Sequence, residues 1–120
     1  MAKDKKQFEI EDGVVATEEV MAIIAGLAAT EADGVSSLDG GLTSANIAKA
    51  GMSKLSKGIR VVSNDDETIS VHLSLNINYG TEIPSVCKSA QEKVKSTIES
   101  MTGINVRDVD VRIASVAMSN

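Results

Sequence analysis

Ile69-Ser70-Val71-His72-Leu73-Ser74-Leu75-Asn76-Ile77-Asn78-Tyr79 is the stretch that decides the fold. Every odd position is apolar and every even position is polar. Successive side chains of a strand point to opposite faces, so strict alternation describes a strand with one face on a core and the other toward water. A helix would repeat its apolar positions every three to four residues instead. The strand therefore calls for a partner layer on one side only.

Upstream, Ile59 and Val61 followed by the polar run Ser63-Asn64-Asp65-Asp66-Glu67 make a strand and turn, which predicts a hairpin with this segment. Downstream, Gly80-Thr81 turns the chain and Pro84 suits the first turn of a helix. That helix is expected to run to about Thr102, with Val86, Cys87, Ala90, Val94, Ile98 and Met101 on its buried face. Lys88, Glu92, Lys95 and Glu99 fall on the solvated face, and Gly103 supplies the stop. The last segment alternates again but changes phase: Ile104 and Val106 are even, whereas Val109, Val111 and Ile113 are odd. Such a slip flips every side chain unless a turn or bulge absorbs a residue. A bend is expected at Arg107-Asp108, with a strand from Val109 onward.

Toward the N-terminus, Phe8, Ile10, Val14 and Val15 surround Asp12-Gly13, a strand or turn-and-strand pattern. Thr17 followed by Glu18 and Glu19 places a capping hydroxyl and two acids at a helix start. Val20, Ile23, Ile24, Leu27 and Ala28 then recur at helical spacing, and Gly26 among Ala22, Ala25 and Ala29 points to close approach by another backbone. Asp33-Gly34 ends this helix, and Val35 to Leu38 reads as a short strand. Ser44 can cap a further short helix carrying Ile47, Ala48, Met52 and Leu55, weakened by Gly51 and ended by Gly58. Residues 1–7 read as a mobile charged tail and residues 8–120 as one domain. The fold class that results is α+β: two layers, with a mainly antiparallel or mixed sheet and two main helices packed on one face.

The same residues exclude most chemistries. With 120 residues, 42% of them hydrophobic and 24% charged, the chain is an ordinary globular domain rather than a disordered one. No metal site is expected from one histidine and one cysteine. No GxSxG turn accompanies His72, and Gly34, Gly40 and Gly41 fit neither phosphate-loop pattern. No catalytic residues, cofactor or small-molecule substrate are expected, and an enzyme is the least favoured class. His72 reads as a solvated imidazole, Cys87 as an inert packed thiol, and Asp108 with Asp110 as surface charge. The single cysteine excludes an intrachain disulfide and suits the cytoplasm. Met1 to Gln7 has no apolar run behind its charges, and the uncharged run from Val20 to Thr30 is too short to span a bilayer.

Beyond periodicity, an ordered series of motifs is recognisable: Tyr79-Gly80-Thr81-Glu82-Ile83-Pro84-Ser85-Val86, then Gln91-Glu92-Lys93-Val94-Lys95, then Met101-Thr102-Gly103-Ile104-Asn105-Val106 and Val109-Asp110-Val111. Ile23 to Glu31 with Gly34-Val35 agrees with it. From about Gly13 to Val116 the chain resembles the alkaline-shock and general-stress envelope protein family of Gram-positive bacteria, in its short single-domain form. It departs in the loop from Gly41 to Gly58, which lacks an aromatic residue found in relatives. The resemblance implies a non-catalytic scaffold or adaptor in envelope stress response. It implies docking on protein partners, among them a membrane-anchored one, at the cytoplasmic side, and a possible homo-oligomer. It brings no catalytic residue and no cofactor.

Charge then singles out one segment. The chain has 17 acidic against 12 basic residues, net −5, which argues against general nucleic-acid binding. Between Asp39 and Asp65, however, there is no acid, while Lys49, Lys54, Lys57 and Arg60 supply four cations. These four residues are the candidate docking patch. The alternative is a nucleic-acid-binding module using segment 49–60, but no GxxG loop and few aromatic residues accompany it.

Overall fold

The computed structural model describes residues 7–118. Gln7, expected in the tail, belongs to the first strand, and residues 1–6 of that expectation lie outside the described residues. Strands β1 (Gln7–Glu11) and β2 (Val14–Thr17) form an antiparallel hairpin about Asp12-Gly13, a sheet of their own. Phe8 and Ala16 face each other across it, and both are buried.

Helix α1 (Glu18–Thr30) starts as its sequence dictates: the Val20 N–H donates to Thr17 Oγ1 at 3.2 Å, beside Glu18 and Glu19. Its buried face is rotated from the expected one. Of the residues at helical spacing, Ala28 is buried, Ile23, Ile24 and Leu27 are half-buried against the core and Val20 is 45% exposed, while Met21, Ala22, Ala25, Gly26 and Ala29 are buried beside Ala28. The reason is proximity. A Cβ on Gly26 would stand 2.8 Å from Ile59 Cδ1 and 3.3 Å from Ile47 Cδ1, so only a small-residue face lets the helix lie this close. The close neighbours are side chains rather than the expected backbone.

After β3 (Val35–Leu38), the expected helix from Ser44 is in fact a 3-10 turn at Ile47–Lys49 and a single α turn, α2 (Met52–Leu55). Gly51 separates them at φ 80, a left-handed conformation that breaks helical continuity. Ile47 and Leu55 are nevertheless buried.

The main sheet comprises β3, β4 (Ile59–Ser63), β5 (Ile69–Asn78) and β6 (Val106–Ala117). Strand β5 is its spine. It pairs antiparallel with β4 over Ile69–Leu73 and with β3 over Leu75–Ile77, and parallel with β6 from Ile69 to Asn78. A strand has two edges and β6 follows the whole of one, so β3 and β4 share the other, end to end. They meet at Ser74, whose N–H donates to Gly58 O (2.8 Å) and whose carbonyl accepts from Asp39 N–H (2.9 Å). Gly58 is buried there, and a Cβ would fall 2.8 Å from Leu38 Cβ.

The phase change in the last strand is a bulge. Ile69 pairs with Val106 and Ser70 with Asp108, so Arg107 is the extra residue. The disruption lies where alternation placed it, but the strand begins at Val106 rather than Val109, because a bulge absorbs a residue without ending the pairing. A second irregularity leaves Ala114 between Ile113 and Ser115.

Helix α3 (Ile83–Thr102) crosses between the parallel strands β5 and β6. Its Val86, Ala90, Val94 and Ile98 join Val71, Leu73, Leu75 and Ile77 of β5 among the buried residues. Full burial of such a side chain contributes about 1.5–3 kcal/mol. Met101, expected in this stripe, is 65% exposed. Thr102 is buried instead and donates its hydroxyl to Ile98 O at 2.7 Å, one position before Gly103 ends the helix in the left-handed region. Cys87 is half-buried, and burial pushes its thiol pKa up, away from the reactive thiolate.

Three side chains of α3 also reach the outer edge of β6. Glu99 Oε2 accepts the Val106 N–H (2.9 Å), Lys95 Nζ donates to Val106 O (2.9 Å), and Gln91 Nε2 donates to Val109 O (2.8 Å). The Val106 N–H and the Lys95 ammonium hold the Glu99 carboxyl below its usual pKa.

Candidate functional site

With both long helices on the odd-numbered side of β5, the even-numbered side is left without a helix. Its residues Ser70, His72, Ser74, Asn76 and Asn78 are nonetheless mostly half-buried, because neighbouring strands supply partners. Asn76 Nδ2 donates to Ser37 Oγ (3.0 Å) and Leu38 O (3.1 Å) on β3, and its Oδ1 accepts from Ser115 Oγ (2.7 Å) on β6. Asn64 Nδ2 donates to Ser70 Oγ (3.0 Å). Ser70 and Asn76 of this polar surface are thereby tied to their neighbours.

Charge concentrates at its centre. The register places Arg60, His72 and Asp110 in one row across β4, β5 and β6, and His72 Nδ1 lies 3.2 Å from Asp110 Oδ2. Arg112 sits one two-residue step further along β6, opposite Ser74. Lys57, Arg60, His72, Ser74, Asp110 and Arg112 together line an open cleft of about 390 Å³. Among the described residues, Lys57, Arg60 and Arg112 form no ion pair. Three unpaired cations against one carboxylate give the cleft an excess of positive charge, which attracts anionic groups.

The basic segment expected to act as one patch therefore divides. Lys57 and Arg60 line the cleft; Lys49, at the end of the 3-10 turn, and Lys54, on α2, are exposed but do not. Arg112 was missed because it lies outside the acid-free segment, between Asp110 and the C-terminus. Its signal was available: it shares the even phase of Asp108 and Asp110, and hence their side of β6. Asp108 and Asp110 do share a face, as their spacing implies, and His72 has Asp110 as a partner instead of standing alone.

A second depression, about 550 Å³, lies among β1, the β4–β5 turn and the α3–β6 connection. It carries the opposite sign, with Glu9, Glu11, Asp12, Asp66 and Glu67 on its walls. The hydroxyl and N–H of Thr68 hold the Asp66 carboxyl below its usual pKa. Among the described residues no group of three or more His, Cys, Asp or Glu side chains is placed to hold a metal ion.

Fold and site together define a small two-layer α+β module with one sheet face free of helices and charged at its centre. The model of the alkaline-shock protein family, described as having a "cell envelope-related function", matches residues 3–118, and the chain belongs to that family. The resemblance read from the motifs is thereby borne out. The chain is 31% identical over 98 residues to "Uncharacterized protein YqhY" of Bacillus subtilis, covering 82% of this chain and 72% of the relative. It is 30% identical over 110 residues to "Uncharacterized protein YloU" of the same organism, covering 87% and 88%. With "Uncharacterized protein Spy1614" of Streptococcus pyogenes it shares 32% over 117 residues, covering 92% and 93%. No solved structure matches the chain. No helix among the described residues is long and apolar enough to cross a membrane.

Proposed function

We propose that the protein is a non-catalytic scaffold or adaptor in cell-envelope stress response and homeostasis, acting by docking a protein partner at the cytoplasmic side of the membrane. The docking surface is the helix-free face of the sheet, centred on Lys57, Arg60 and Arg112. A membrane-anchored protein is the partner class that fits an envelope-related family, and self-association would multiply its contacts. One observation carries the reading: Lys57 and Arg60 from one segment and Arg112 from another, all unpaired, line one cleft in an otherwise acidic protein. Complementary charge speeds encounter and sets orientation. The nucleic-acid alternative has less support, since the face offers no Phe, Tyr or Trp on which bases could stack.

Envelope fractionation tests this. The double variant Lys57→Glu/Arg60→Glu, with unchanged circular dichroism, is expected to leave the envelope fraction, and raised salt should release the parent protein in the same way. A folded double variant that stays with the envelope overturns the reading. Salt-dependent retention on RNA, lost in the same variant, would replace it with nucleic-acid binding.

A further inference from the structure

We infer that the cleft receives an extended acidic segment of a partner protein, with carboxylates four residues apart held by Arg60 and Arg112. The inference rests on the docking reading and adds the chemistry of the partner. Arg60 and Arg112 lie on β4 and β6, on either side of β5 and one two-residue step apart in register. Two strand spacings of about 4.8 Å and one step of about 6.7 Å place their backbones about 12 Å apart, with His72 and Ser74 between them. Both residues line the same open cleft.

A guanidinium is a planar fork that matches a carboxylate with two parallel hydrogen bonds. In an extended peptide, side chains four residues apart project from the same face about 13 Å apart, close to the separation of the two arginine backbones. A strand laid obliquely across β5 therefore brings one carboxylate to each. Two such carboxylates give each arginine its own partner, and Lys57 adds a third cation at the rim. The flat, polar, hydrogen-bonded surroundings suit a peptide. They offer neither an apolar wedge for a bilayer nor a stacking platform for bases.

Asp110 is the internal competitor. Its carboxylate stands at the β6 end of the row, 3.2 Å from His72 and one two-residue step from Arg112, and competes by its charge with an incoming acid. Asp110→Asn should therefore strengthen binding of an acidic ligand.

The test uses the full chain and a fluorescein-labelled peptide, Gly-Ser-Asp-Ser-Ser-Ser-Asp-Ser-Gly, against the same peptide with both Asp replaced by Asn, read by anisotropy. The Asp peptide is expected to bind at least about tenfold tighter than the Asn peptide. Arg60→Gln and Arg112→Gln should each cost about tenfold, the worth of one charge-assisted contact. Asp110→Asn should gain a few-fold, and Lys49→Gln/Lys54→Gln should change nothing. Equal binding of the two peptides, or arginine variants that bind like the parent, overturns the inference. So does Arg60- and Arg112-dependent binding of phosphatidylserine vesicles or inorganic phosphate without peptide binding. If the peptide fails to bind yet Lys57→Glu/Arg60→Glu still leaves the envelope, the partner chemistry is wrong and the docking reading stands. If the peptide binds as expected and that variant stays with the envelope, the docking reading falls alone.

Discussion

Leu75 and Asn76 are adjacent on β5 and belong to two different surfaces. Leu75 is fully buried on the helix side, held by shape and by exclusion of water. Asn76, on the helix-free side, is held by hydrogen bonds to β3 and β6. The odd face is stabilised by the layer above it, and the even face by ties within the sheet. An open sheet face can thus be tied together without being covered, while the cations it carries keep their side-chain freedom until a partner pairs them.

The largest break in this contrast should come from the covered face. Val94 is fully buried, so Val94→Asp places an unpaired carboxylate in the core, at a cost above about 4 kcal/mol, and is expected to unfold the domain. A V94D protein with the parent's melting temperature would show that α3 does not face the core. On the bare face, Asn76→Ala should cost about 1–3 kcal/mol by removing three hydrogen bonds that tie β5 to β3 and β6, whereas His72→Ala, losing only a half-exposed pair, should cost under about 1 kcal/mol. Equal melting temperatures for the two variants would refute the claim that ties within the sheet hold this face. Smaller again is the stability effect of Lys57→Glu/Arg60→Glu, expected within about 0.5 kcal/mol on an exposed rim while envelope association is lost.

The smallest effect concerns acid. Glu99 has its pKa lowered in the folded state, so its contribution is present above the ordinary carboxylate pKa and disappears as pH falls through the lowered folded value. Stability should rise with pH across the acid range, and Glu99→Gln should flatten that rise. A melting profile against pH that is unchanged in E99Q would mean that the Val106 N–H does not depend on this carboxylate.

Alternation made β5, its two faces and even the slip near Arg107 legible, because a period of two is a local property of the chain. Helix α3 was legible for the same reason, with Pro84 and Gly103 at its ends. The rotation of α1 was not. Its apolar residues surround most of the helix, so the buried side is chosen by how near Ile59 and Ile47 can come to Gly26, which no local pattern records. The basic segment was visible as charge, but whether its members converge depends on the sheet. Lys57 and Arg60 meet Arg112 only because β5 pairs with β4 on one edge and β6 on the other. A cleft assembled across three strands has no signature within any one of them.

The reach of Gln91, Lys95 and Glu99 onto the outer rim of β6 has a consequence for crowded conditions. An unpaired strand rim is a template on which another chain can add a strand, the first step toward fibrils. Here the template is occupied at Val106 and Val109 by side chains of the protein's own helix. Replacing Gln91 and Lys95 with methionine would leave those carbonyls open while preserving helical propensity. At high concentration such a protein should gain thioflavin-positive aggregates that the parent does not form. Colloidal safety in this molecule is then a side-chain property of α3, separable from the stability of its core.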